Sequence, residues 1–169
     1  MPGEVRPARV VITGDWWILI VIALGVGGIV AVLRAVVAGR PDVQLADIGS
    51  GFVGSALLLV SLCAHEGGHA AAGAIVGRFP TSLRVGAIPS VRFDQGQLLG
   101  WRLVLVAVAG PLVDLVWGAL LINLASFPLS LIGWVTVANG AWNLIPLRGS
   151  DGGQARAGLR DLRRDRPSA

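Results

Sequence analysis

Long apolar stretches constrain this 169-residue chain more than any other feature. A transmembrane helix needs about 20 consecutive, mostly apolar residues, and charged residues make up only 14% of the sequence, against 54% for hydrophobic ones. A soluble domain is about a quarter charged. The sequence therefore predicts an all-α polytopic membrane protein with about four transmembrane helices. The predicted spans are residues 16–33, 48–76, 103–124 and 127–147.

The arginines predict how these spans are oriented. All 14 basic residues are arginines, and only Arg34 and Arg40 fall on the side opposite the two termini. Because basic loops stay in the cytoplasm, we expect a multi-pass protein of the cell membrane with both termini cytoplasmic. The absence of lysine hints at a GC-rich, bacterial genome. Nucleic-acid binding is not expected, since the arginines are not interleaved with stacking aromatic residues.

Two segments of the chain are not spans. Residues 82–93, SLRVGAIPSVRF, alternate partly between apolar and polar residues around a Pro-Ser turn, which predicts a short membrane-associated β-hairpin between spans two and three. Residues 154–169 are interpreted as a basic cytoplasmic tail that follows a single transmembrane domain of residues 1–153. Such a tail is expected to be solvated, with attraction to anionic lipid as the alternative.

Both histidines of the chain lie inside the second span, where His65, Glu66 and His69 spell HExxH. Positions i and i+4 of a helix share one face, so both imidazoles can bind one metal ion while Glu66 lies beside it. Ionisable groups inside a span are costly and are seldom kept without a function. The motif predicts a zinc site with Glu66 as its base. The alternative is a pair of buried histidines held by hydrogen bonds between helices.

A catalytic zinc ion normally takes three protein ligands, and the chain has no third histidine. Cys63 precedes His65 by two residues and should project from another face, so we expect a small buried thiol there. The carboxylates in or next to the spans are those of Asp114 and Asp151. Either one, together with ionised Glu66, would bring a zinc site to about neutral charge, so the residues alone leave the choice open.

Two further segments resemble the site-2 protease family of intramembrane zinc metalloproteases. NLIPLRGSDGG, residues 143–153, matches the family's NxxPxxxxDG motif in residue types and spacing, and AGPLVD, residues 109–114, is similar to its AGP-containing third core helix. The resemblance covers about residues 48–153. It implies that Asp151, the Asp of the DG pair, is the third zinc ligand. The family pattern often has Asn where this chain has Asp114.

Helix geometry suggests a role for Asp114. At 1.5 Å per residue, Glu66 lies about 18 Å into the second span from Arg78, and Asp114 lies about 18 Å into the third from Arg102. The two carboxyl groups should therefore be close. We predict that Asp114 orients a histidine or a water molecule, with structural hydrogen bonding as the alternative.

Asp151 would lie too close to the membrane surface if the fourth helix were straight. Pro146 and the glycines after it predict a broken segment that folds back toward the site, which is tolerated when it is buried in protein or faces a water-filled cavity. Asn143 would then be available to bind the substrate backbone; the alternative is packing between helices.

The residues and the resemblance together indicate an intramembrane zinc metalloendopeptidase that cleaves transmembrane segments of membrane-anchored proteins in regulated intramembrane proteolysis. Its expected partners are a membrane-spanning protein substrate and the lipid bilayer, and the sequence indicates no oligomeric state. One alternative is a non-catalytic relative that binds membrane-protein clients. A metal-transport subunit is a weaker alternative, because transport would need ligands along a path and not at one depth.

Overall fold

The computed structural model describes residues 9–13, 15–86, 89–93, 98–124 and 126–164. This part of the chain is mostly helical, with one small sheet. Three of its helices, α1 to α3, are long and apolar enough to cross a membrane, as expected for a membrane protein. The helices are α1 (Trp16–Val37), α2 (Leu45–Ile75), α3 (Gly100–Asn123), α4 (Phe127–Leu144) and α5 (Asp151–Arg164), and the strands are β1 (Arg9–Ile12), β2 (Ser82–Val85) and β3 (Ser90–Arg92).

The fourth predicted span differs most from its prediction. Residues 127–144 form α4, but within the described residues α4 is not among the helices that are long and apolar enough to span a membrane. Two asparagines, Asn139 and Asn143, reduce its hydropathy. The helix ends at Leu144 because the residue before a proline is driven into extended conformation, as Ile145 is before Pro146, with ψ 129°.

The sheet contains more than the predicted hairpin. Strands β2 and β3 pair antiparallel, with Leu83 opposite Val91, inside the stretch where a hairpin was expected. Strand β1, which the sequence did not predict, pairs parallel with β2 and places Val10 opposite Leu83. The sheet order is β1-β2-β3, so β3 is an edge strand of this sheet. That the hairpin of β2 and β3 is associated with the membrane stays a prediction.

Small residues let the helices approach closely. A Cβ added to Gly118 on α3 would lie 2.7 Å from the carbonyl oxygen of Gly133 on α4, and the reverse is equally close. Lipid tails are as apolar as the side chains, so helices in a membrane associate through such contacts and through hydrogen bonds. One of these hydrogen bonds joins α3 to α2, where Trp117 Nε1 donates to Ser61 Oγ at 3.1 Å.

Helix α5 follows a break in the chain and packs back against α3. Gly149 has a φ of +90°, and α5 then begins at Asp151. Gly158 of α5 lies against the start of α3, since a Cβ there would be 2.6 Å from the carbonyl oxygen of Gly100. Helix α5 therefore lies along the first half of α3. Asp151 is at the end of α5 that is farther from Gly100. The break that Pro146 predicted is present.

The prediction of a solvated tail from residue 154 is wrong for one face of α5. Ala155 and Gly158 are buried, and α5 crosses the domain boundary that was expected at residue 153. The apolar spacing of this face was hidden by its small residues, which sequence patterns of large hydrophobic side chains do not reveal. Residues 165–169 of the predicted tail lie outside the described residues.

Candidate metal centre

Helix α2 brings the two histidines together. His65 and His69 lie one helical turn apart on the face that packs toward α3, as the i, i+4 spacing requires. Their Nε2 atoms are 3.2 Å apart. Gly110 on α3 makes room for both rings, because a Cβ there would lie 2.9 Å from His65 Nε2 and closer still to His69 Nε2.

Each imidazole ring is oriented through its Nδ1 atom. His65 Nδ1 donates to Asp114 Oδ2 at 2.8 Å, and His69 Nδ1 donates to the backbone carbonyl of Val106 at 2.7 Å. Both acceptors belong to α3. A neutral imidazole carries one N–H, so a proton on Nδ1 leaves each Nε2 as a lone pair, the form in which histidine binds a metal.

Asp151 completes a group of three possible metal ligands. Its Oδ2 atom lies 3.3 Å from His65 Nε2 and 3.5 Å from His69 Nε2. One ligand atom from each of the three residues falls within 4.8 Å of the others, so the group could hold a metal ion. Two imidazole nitrogens and a carboxylate oxygen are a donor set suited to zinc, and a cation between them relieves the repulsion of three converging lone pairs.

The start of α5 is built so that Asp151 can reach this point. Ser150 precedes the helix, and its Oγ atom accepts a hydrogen bond from the Gly153 N–H at 3.1 Å, which is the usual N-cap arrangement. Gly152 packs directly on the end of α4, because a Cβ there would be 2.5 Å from the carbonyl carbon of Leu144. A larger residue at position 152 would push Asp151 away from the histidines.

Glu66 faces the sheet and is not part of the ligand group. Its Oε2 atom accepts a hydrogen bond from the backbone N–H of Val91 on β3 at 2.8 Å. Neighbouring positions of a helix point in different directions, so Glu66 lies beside the histidines without competing for the metal. The contact with Val91 could not be predicted from the sequence, because it depends on how the sheet packs on α2.

A cavity of about 590 Å³ opens beside these residues. It is lined by apolar side chains and by polar ones, which include His65, Glu66, His69, Asn139, Asn143 and Asp151. Asn143 therefore lies at the cavity, and its contact with the substrate backbone stays a prediction. Pro146 does not line it and instead lies in the break between α4 and α5.

Asp114 lies next to the ligand group and not in it. It is buried, with 1% of its surface exposed, and the oxygen that accepts from His65 also accepts from Asn139 Nδ2 at 2.7 Å. Asn139 was missed by the sequence analysis, although an amide inside a predicted span is a recognisable signal. Cys63 corrects another expectation, since it is exposed and not buried.

No protein-family model matches the chain. Two curated relatives are named "Putative zinc metalloprotease Rip3", from two strains of Mycobacterium tuberculosis, and each is 30% identical over 162 residues. The match covers 88% of this chain and 41% of the relative, so the chain spans about two fifths of the relative's length. Among solved structures, the site-2 protease from Methanocaldococcus jannaschii has a TM-score of 0.60 over 91% of this chain and 68% of its own, at 18% identity.

The resemblance to the site-2 protease family is confirmed. The solved site-2 protease shows a shared fold, since its identity to this chain is low. Within this site-2 protease fold, three elements converge on one point. Helix α2 supplies His65 and His69, α5 supplies Asp151, and α3 supplies the acceptors that orient the rings.

Proposed function

We propose that the chain is an intramembrane zinc metalloendopeptidase that cleaves transmembrane segments of membrane-anchored proteins. The observation that carries this proposal is the convergence of His65, His69 and Asp151 beside a cavity that Glu66 also lines. The ligand set lies between helices long enough to cross a membrane. The name of the mycobacterial relative supports zinc as the metal and proteolysis as the activity.

In the proposed mechanism, the Nε2 atoms of His65 and His69 and a carboxylate oxygen of Asp151 hold Zn²⁺. When bound, zinc lowers the pKa of a coordinated water and polarises the scissile carbonyl. Glu66 accepts a proton from the attacking water and returns it to the leaving amine nitrogen. Asp114 and the Val106 carbonyl keep the imidazole rings oriented throughout.

The substrate is proposed to bind as an extended strand. A transmembrane helix hides its peptide bonds in its own hydrogen bonds, so it must unwind before cleavage. Strand β3 is at the edge of the sheet and its Val91 lies against Glu66, so a strand added at this edge would lie next to the base. Asn143 lines the same cavity and is proposed to bind the backbone of the unwound segment.

We also propose that α4 and α5 together make a fourth crossing of the membrane. Helix α4 runs antiparallel to α3, with Gly133 beside Gly118 and Gly140 beside Pro111, and it ends about halfway along α3. Helix α5 continues along the remaining half. This arrangement, with the excess of arginine on one side, supports a multi-pass protein with both termini in the cytoplasm.

A paired measurement tests the proposal. Full-length protein in detergent should contain about one zinc per chain, and Asp151→Ala should lower that content while Asp42→Ala, at an exposed position, leaves it unchanged. Wild-type protein should cleave a transmembrane reporter, and Glu66→Gln should retain zinc without cleavage. Zinc binding with reporter capture but no cleavage by the wild type would favour a non-catalytic, client-binding protein.

A further inference from the structure

Helix α5 carries four exposed arginines. Arg156, Arg160 and Arg163 follow one another at i, i+4 and i+7, so they share one side of the helix, and Arg164 adjoins them. All four are exposed. Within the part of the chain that the structure describes, none of them forms an ion pair or a side-chain hydrogen bond. Their guanidinium groups are therefore available to a partner outside the described fold.

Two partly exposed leucines accompany the arginines on α5. Leu159 lies between the arginines and the buried face, and Leu162 lies on the same face as Ala155 and Gly158. Leu159 is 48% exposed and Leu162 is 38% exposed. Leu162 contacts the start of α3, where its Cδ2 atom would be 3.1 Å from a Cβ on Gly100. Arginine side chains near the end of a helix can bury their apolar stems while the guanidinium groups reach the headgroups.

The packing of α5 on α3 places the C-terminal end of α5 at the level where α3 begins. Asp151, at the start of α5, lies at the depth of the histidines, whereas Gly158 and Leu162 contact Gly100, where α3 begins. The next residues of α3 are Trp101, which is exposed, and Arg102, whose guanidinium lies 5.7 Å from the centre of the Trp101 ring. Tryptophan is enriched at the membrane–water interface.

We propose that α5 docks on anionic phospholipid headgroups of the cytoplasmic leaflet. Arg156, Arg160, Arg163 and Arg164 bind the phosphates, and the two leucines contact the upper acyl chains. The charge of this surface matches that of the leaflet, which carries a negative potential. Because Asp151 is the first residue of the same helix, the lipid contact also steadies the third proposed zinc ligand, a consequence that rests on the proposed function.

The experiment uses the full chain reconstituted in two kinds of vesicle, phosphatidylcholine alone and phosphatidylcholine mixed with phosphatidylglycerol. The first readout is phosphatidylglycerol retained per chain, measured by native mass spectrometry. An arginine near an anionic surface contributes about fivefold in affinity. Replacing both Arg160 and Arg163 by Gln should therefore lower retention on the order of 25-fold, whereas replacing both by Lys, which keeps the charge, should largely preserve it.

The second readout is the rate at which a chelator removes zinc. Removal should be slower in the phosphatidylglycerol vesicles, and the Gln variant should lose that difference. Lipid docking is overturned if the Gln variant retains phosphatidylglycerol like the wild type, or if inorganic phosphate at matched ionic strength displaces the lipid. Lost lipid retention with unchanged zinc removal overturns the link to Asp151. None of these readouts requires proteolysis, so failure of the proposed protease activity is a separate result.

Discussion

Asp114 holds His65 through a 2.8 Å hydrogen bond to Nδ1, in a pocket where 1% of the Asp114 surface is exposed. The bond directs Nε2 of the same ring toward His69 and Asp151. A carboxylate in this position fixes the tautomer of a histidine ligand and raises its basicity. Asp114, which stands where the family pattern often has Asn, therefore contacts a ligand of the proposed metal centre.

Replacing Asp114 by Ala should weaken zinc binding by about 10- to 100-fold, which is the usual cost of losing such a partner. Competition against a chromophoric chelator measures this affinity. The exposed Asp42→Ala is the matched control and should bind zinc like the wild type. Unchanged affinity in the Asp114 variant would mean that the bond to His65 serves the fold alone.

Asn139 should act on the metal only through Asp114. Its Nδ2 atom donates to the same Asp114 oxygen at 2.7 Å, so Asn139→Ala should lower zinc affinity by several-fold, less than the loss of Asp114. Two residues in one hydrogen-bond network are not independent. In the double variant, the second substitution should add little to the first. Fully additive losses of affinity would place Asn139 outside the network.

Gly110 should be required for metal binding although it contributes no side chain. A Cβ at this position would come within 3 Å of Nε2 on both histidines, so Gly110→Ala should displace the rings and reduce zinc content about tenfold or more. Gly25→Ala on α1 is the control, since nothing lies within 4 Å of a Cβ there. Circular dichroism should show unchanged helix content in both variants. Normal zinc content in Gly110→Ala would exclude this steric role.

The parts of the site that the sequence revealed are those that local geometry determines. The i, i+4 spacing alone places His65 and His69 on one face of a helix. Pro146 with the glycines after it predicts a break after α4, although the predicted span ran to residue 147 and α4 ends at Leu144. The contact of Asn139 with Asp114 depends instead on how α4 packs on α3. The pairing of β1 with β2 joins residues about 70 positions apart, and a four-residue strand carries too little pattern to predict such a pairing.

The position of Asp151 depends on the break between α4 and α5. The resemblance implied a third ligand at a position that a straight helix would have left near the surface. The structure brings Asp151 to the histidines because α4 ends early and α5 begins there, capped by Ser150 and packed through Gly152. The glycines in this segment could be recognised from the sequence, but the direction in which the chain continues could not.

The backbone of Val91 should be required to orient Glu66 for the reaction. The Val91 N–H donates to Glu66 Oε2 at 2.8 Å, and a hydrogen bond to a charged group contributes about 1.5–3 kcal/mol. Val91→Pro removes this N–H from the outer edge of β3. It should lower kcat/KM for a transmembrane reporter by about tenfold or more, because Glu66 loses the group that orients it.

Val91→Ala keeps the N–H and is the matched control, with kcat/KM expected within a few-fold of the wild type. Zinc content should stay at the wild-type level in both variants, since the ligands lie on α2 and α5. A reduction of the same size in both variants would attribute the effect to the valine side chain. If the proline variant has the kcat/KM of the wild type, the N–H of Val91 plays no part in the reaction.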